Sequence, residues 1–110
     1  MKLGMIKNEC DAQGFEYVKN KGLEFIELCC NYTPDGQKFI DRKDELKGLI
    51  AATGIPILSV GRWNGEGGPL DGNGGILADL FAEAKKIIET CAEIGCPVYN
   101  CGCTFVEGLC

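Results

Sequence analysis

A chain of 110 residues with 16 acidic against 11 basic side chains has room for one domain with a modest core, and it lacks the basic footprint of a nucleic-acid binder. The formal charge of -5, with Lys and Arg scattered along the chain, also argues against an anionic membrane surface, and no run approaches the roughly 20 apolar residues of a membrane span. There is no histidine, so neither a Ser-His-Asp nor a Cys-His nucleophile system, nor a His-based zinc site, can be built from these residues alone.

The first six residues, Met1 to Ile6, run at once into Lys7, Asn8 and Glu9. That is too short an apolar core for a secretory signal, and the cytoplasm is the expected compartment. Lys2 to Ile6 reads as a first strand. Asp11 to Asn20 reads as a helix with Asn8 or Asp11 as cap, Phe15 and Val18 as its apolar stripe, and Gly22 as its stop. Leu23 to Asn31 is nearly continuously apolar, as in a strand buried on both faces of a parallel sheet, with Glu27 the exception. Thr33-Pro34-Asp35-Gly36 has the composition of a turn. Lys38 to Thr53 then reads as the second helix, with Phe39, Leu46, Leu49 and Ile50 on one face and Gly54 as its stop. Pro56 opens a third strand, Ile57 to Val60.

Trp63 to Gly75 is a loop holding six glycines, long enough to be either a mobile connector or a lid over a substrate. It contains no phosphate-binding fingerprint, and Glu66 and Asp71 would repel a phosphate. Ile76 to Ile94 reads as the third helix. Leu77, Leu80, Phe81, Ala84, Ile87, Ile88 and Cys91 form its stripe, and Glu83, Lys85, Lys86 and Glu89 face away. Gly95 ends it, and Pro97 to Cys103 is the fourth strand.

The order is βαβαβαβ, an α/β chain with a parallel sheet. It suits half of a (β/α)8 barrel or a small open sheet of flavodoxin type. In both, ligands gather at the carboxyl ends of the strands. Here those ends carry Gly61-Arg62-Trp63-Asn64 and Asn100-Cys101-Gly102-Cys103. An arginine beside a large aromatic suits a polar ring such as a sugar; the alternative is that Trp63 packs on the rim and Arg62 pairs with a carboxylate. Glu27 either faces a barrel lumen or pairs within the sheet. The eight cysteines lack paired CxxC spacing. They read as reduced core and strand-end thiols rather than a disulfide scaffold or a metal site, and no catalytic or metal-ligating residue is assigned.

The stretches KLGMI, FIELCCNY, SVGRWN and IGCPVYNCGC, with the glycine-ended first helix, resemble the sugar phosphate isomerase/epimerase group. These are xylose isomerase-like barrels, related to the apurinic endonucleases. The resemblance runs from Lys2 to about Val106 and lies mostly in strand cores. It implies an eight-stranded barrel of roughly 250 residues, of which residues 1–110 are a single partial domain, the N-terminal four strands.

The resemblance further implies a divalent metal (Mn, Mg or Zn) held by Glu, Asp and His of the later strands, with glutamates as acid and base. None of these positions has a counterpart here. What matches are the substrate-facing ends of the first half: Glu27, Asn31, Arg62, Trp63 and Asn100. The expectation is a fragment of an enzyme of carbohydrate metabolism that acts on a sugar or sugar phosphate, inactive alone and without a metal of its own. The acidic charge disfavours the endonuclease branch. The alternative is a non-catalytic half-barrel that binds a small polar ligand or self-associates through its open sheet edges.

Overall fold

The structure, a computed structural model, describes residues 1–8, 10–31, 33–62 and 70–101, with the backbone alone at Thr33 and Pro34. The elements are β1 (Gly4–Lys7), α1 (Ala12–Asn20), β2 (Phe25–Cys29), α2 (Thr33–Asp41), α3 (Lys43–Thr53), β3 (Ile57–Arg62), α4 (Ala78–Ile94) and β4 (Val98–Cys101). All strand pairs are parallel and the sheet order is β1-β2-β3-β4. The chain is thus α/β, with strands and helical crossovers alternating as in half of a (β/α)8 barrel. A flavodoxin-type sheet would exchange its first two strands; this one advances in sequence order, as a barrel does.

The punctuation reads as expected. Asp11 caps α1, its carboxylate accepting from the Gly14 N–H at 2.8 Å. Gly22, Gly54 and Gly95 follow α1, α3 and α4 at φ 69, 72 and 78°, a region where a side chain is strained.

The strands shift by a few residues at their ends, with β3 running on to Arg62, and three helical boundaries differ from expectation. Thr33-Pro34-Asp35-Gly36 is the first turn of α2, not a turn before a helix. Proline is tolerated there because first-turn N–H groups have no intrahelical acceptor. The second crossover is two helices, broken at Arg42, whose guanidinium reaches the Cys10 carbonyl at 2.7 Å and Glu45 at 2.8 Å. The third crossover begins as a helix at Ala78, because Ile76 is held in an antiparallel bridge to Leu70. Asp71 organises that turn by accepting from the N–H groups of Asn73 and Gly75, both at 2.8 Å.

The core lies between the sheet and the helices. Ile26, Leu28, Ile57 and Val60 from the strands meet Phe15, Val18, Phe39, Leu46, Ile87, Cys91 and Ile94 from the helices. Ile57 and Val60 are three residues apart, so simple alternation would put them on opposite faces. A register shift against Ile26 and Glu27 resolves this and turns both inward.

The α4 stripe also differs from expectation. Phe81 and Ile88 are 45% and 51% exposed, whereas Thr90 and Ile94 are buried. Glu83, expected to face away, turns toward the sheet, where Arg62 holds it. Gly36 makes room for it: a Cβ there would lie 2.6 Å from Glu83 Oε1 and 3.2 Å from Ile87 Cδ1, so α2 and α4 approach closely only with glycine.

Candidate functional site

Helices cover one face of the sheet. The other face is built of the alternate residues, and the strand register arranges them in rows. Toward the amino ends lie Gly4 and Phe25, with the Phe25 ring against Gly4. The middle row is Ile6, Glu27, Ser59 and Val98, one residue from each strand. Toward the carboxyl ends come Cys29, Gly61 and Asn100. Layered inward-pointing residues are what a barrel interior is made of. Here the layers are open: Ile6 is 63% exposed and Val98 42%.

This face carries a carboxylate and a hydroxyl in its middle row and an amide toward the ligand end of the sheet. Glu27 is half-buried and sits beside Ser59 in the register. The Ser59 Oγ is enclosed and has no hydrogen-bond partner among the described residues. Asn100 is half-buried one row further on. Hydrogen-bonding groups on an otherwise apolar wall are what a sugar-sized polar ligand requires.

Arg62 lies on the opposite face. It follows Val60 by two residues, so alternation carries it to the helix side. It is 1% exposed, and its Nη1 donates to Glu83 Oε2 at 2.5 Å. This is the carboxylate pairing weighed above, with α4 supplying the carboxylate. Burial nearby pushes the Cys30 thiol up to about 12 and the Tyr99 phenol to about 12. A surface groove of about 400 Å³ lies between the end of β1 and the start of α1, lined by Lys7, Asp11, Gln13, Gly14 and Tyr17. The Lys7 ammonium stands 5.7 Å from the Tyr17 ring centre. Asp11 already occupies the positive end of α1 there.

Of the expected site residues, the structure brings Glu27 and Asn100 to the open face and Arg62 to the other. Asn31 follows β2, half-buried and engaged in contacts of its own. Trp63 lies outside the described residues, as does Cys103. Sequence reasoning missed Ser59, since a single serine in an apolar strand carries no signal without the register. It also missed the inward turn of Glu83, for which a buried arginine in need of a carboxylate was the available clue. Among the described residues, no group of three or more His, Cys, Asp or Glu could hold a metal ion. No described helix is long and apolar enough to cross a membrane.

No protein-family model matches the chain, and no curated protein matches it. Among solved structures, it is similar to 3-keto-D-glucoside 4-epimerase, YcjR, from E. coli in its apo form, with a TM-score of 0.66 and 21% identity. The match covers 90% of this chain and 36% of that one, so this chain spans about a third of that protein's length. At that identity the likeness is one of fold: the four-stranded unit superposes on part of a larger barrel protein.

Proposed function

We propose that this chain is the ligand-binding first half of a sugar isomerase or epimerase barrel. The observation that carries the reading is the open face, with Glu27, Ser59 and Asn100 on the side that a completed barrel would enclose. That the structural neighbour is a sugar epimerase supports the same chemical class. The reaction of the whole barrel is proton transfer next to a carbonyl. The general base and the ligands of any divalent metal belong to strands that these residues do not include, so the 110 residues alone bind without turnover. Arg62 acts in this reading by holding the end of β3 in place, and Glu27 and Asn100 contact sugar hydroxyls.

Amide chemical-shift mapping of the purified chain with a panel of free sugars and sugar phosphates tests this. The expected result is saturable shifts at Glu27, Ser59 and Asn100, weakened at least tenfold in Glu27→Gln. Shifts confined to the Lys7–Tyr17 groove, or none at all, would sink the reading. A second reading rests on the exposure of Ile6 and Val98: the open face pairs with a second copy. Sedimentation under reducing conditions separates the two. A discrete dimer lost in Ile6→Ser favours self-association, and a ligand-binding monomer favours the half-enzyme.

A further inference from the structure

Helix α4 ends in a Schellman turn. The Cys96 N–H donates to the Cys91 carbonyl at 2.8 Å and the Gly95 N–H to the Ala92 carbonyl at 3.3 Å, with Gly95 at φ 78°. Such a turn brings the residue after the glycine against the one five before it, and an apolar contact ordinarily fills that place. At the end of α1 the same turn sets Leu23 on Val18, joined by a backbone bond of 3.1 Å. At the end of α4 both positions are cysteine. Cys91 and Cys96 are 3% and 5% exposed, and both belong to the buried core. The Cys96 Sγ also lies 3.4 Å from the Val98 carbonyl oxygen. A disulfide needs about 4.4–6.8 Å between Cα atoms, and the 2.8 Å bond from the Cys96 N–H to the Cys91 carbonyl brings the two backbones into direct contact.

We propose that Cys91 and Cys96 form an oxidation site, a thiol pair that a low-molecular-weight disulfide converts into an intramolecular disulfide pinning the start of β4 to the end of α4. The proposal is independent of what the open face binds. The two thiols are not equivalent. The neighbouring Cys91 thiol pulls the Cys96 thiol down, against burial, and Cys96 pushes Cys91 up. Cys96, flanked by the exposed Gly95 and Pro97, is the thiol that a small disulfide reaches first and the one that ionises and attacks. Its sulfur bonds to one sulfur of the small disulfide, whose S–S bond breaks, and the departing thiolate takes up a proton. Cys91 then loses its proton to solvent and attacks the Cys96 sulfur, and the second small thiol leaves. Two protein thiols give up two electrons, and one small disulfide becomes two thiols.

Access comes through the rim. Gly95, Pro97 and Val98 are exposed around Cys96, and β4 pairs only with β3 among the described residues, so local opening there is easy. Cys10 and Cys30 are held back, pushed by burial to about 11 and about 12.

The test is to treat the whole chain with glutathione disulfide, alkylate the remaining thiols and cleave after glutamate. Cleavage at Glu89, Glu93 and Glu107 isolates Cys91 in residues 90–93 and leaves Cys96 with Cys101 and Cys103 in residues 94–107. We expect these two peptides joined, with fragment ions placing the link at Cys96. In Cys91→Ala, Cys96 retains the glutathione adduct instead, because the resolving thiol is gone. The oxidised wild type melts higher than the reduced form, and the treated Cys91→Ala does not. Recovery of residues 90–93 alkylated, or linked through Cys101, Cys103 or Cys110, overturns the proposal.

Discussion

The two faces of one sheet are made of the same four strands and differ in almost every physical respect. On the helix side, Ile26, Val60 and Arg62 are at most 1% exposed, and the Arg62 guanidinium is matched by a carboxylate from α4. On the open side, Ile6 beside Glu27 and Val98 beside Ser59 are exposed. The first face is finished and holds the fold together. The second is apolar enough to want a cover and polar enough at its carboxyl end to discriminate between covers. Stability and function are therefore divided between the faces, and substitutions should divide in the same way.

The largest effect is expected at the buried ion pair. Removing one partner of a desolvated pair costs about 3–5 kcal/mol, because the remaining charge stays buried. Glu83→Ala should therefore lower the urea midpoint steeply. Gly36→Ala, which drives a methyl into the same carboxylate, should move it in the same direction by less. If Glu83→Ala is neutral, the helix side does not depend on this pair and the contrast between the faces weakens. Next comes Ile26→Ala at about 2–5 kcal/mol, set against Ile6→Ala, expected within about 0.5 kcal/mol because the side chain is already in water. Equal costs at the two positions would mean that the open face is covered in solution.

Alkaline pH probes the same asymmetry. The Cys30 thiol is raised from 9.0 to about 12 by burial on the helix side. Between those values the unfolded chain releases a proton that the folded chain keeps, so stability is full below about 9 and falls as the pH rises toward 12. The loss is at most about 1.4 kcal/mol per pH unit for this group. Cys30→Ala should flatten that limb in denaturation curves taken between pH 8 and 11, where unchanged curves would mean that the thiol is hydrated.

How much of this was legible in the residues follows from which interactions are local. The glycine stops, the Asp11 cap and the parallel βαβ order depend on neighbours within a turn, and the residue types carry them. The α2 turn was misread because Pro-Asp-Gly composition is shared by turns and first helical turns, and only the path after it decides between them. The facing of Glu83, the pairing of Ser59 with Glu27 and the position of Arg62 depend on the register shift in β3 and on how α4 rotates against the sheet. Those are tertiary choices with no trace in a period. Glu27 was visible because a carboxylate in an apolar strand contradicts its surroundings. The Cys91 and Cys96 pair was visible in principle, since a predicted Gly95 stop already sets their spacing.

The smallest expected effect sharpens the comparison most, because it holds the helix constant. α4 makes a second ion pair, Glu93 with Lys43 of α3 at 2.7 Å, whose side chains are 50% and 32% exposed. The hydrogen bond between them raises the lysine and lowers the glutamate, as it would in any pair of this geometry. Water and salt screen it, and ordering two long side chains offsets much of the attraction. Lys43→Met should therefore leave the urea midpoint within error at physiological salt, with a slight decrease emerging only at low ionic strength. The same measurement on Glu83→Ala should show a large loss at both salt concentrations. If instead Lys43→Met destabilises as much as Glu83→Ala, the α3–α4 seam is held by charge at the surface, and burial is not what separates the two pairs.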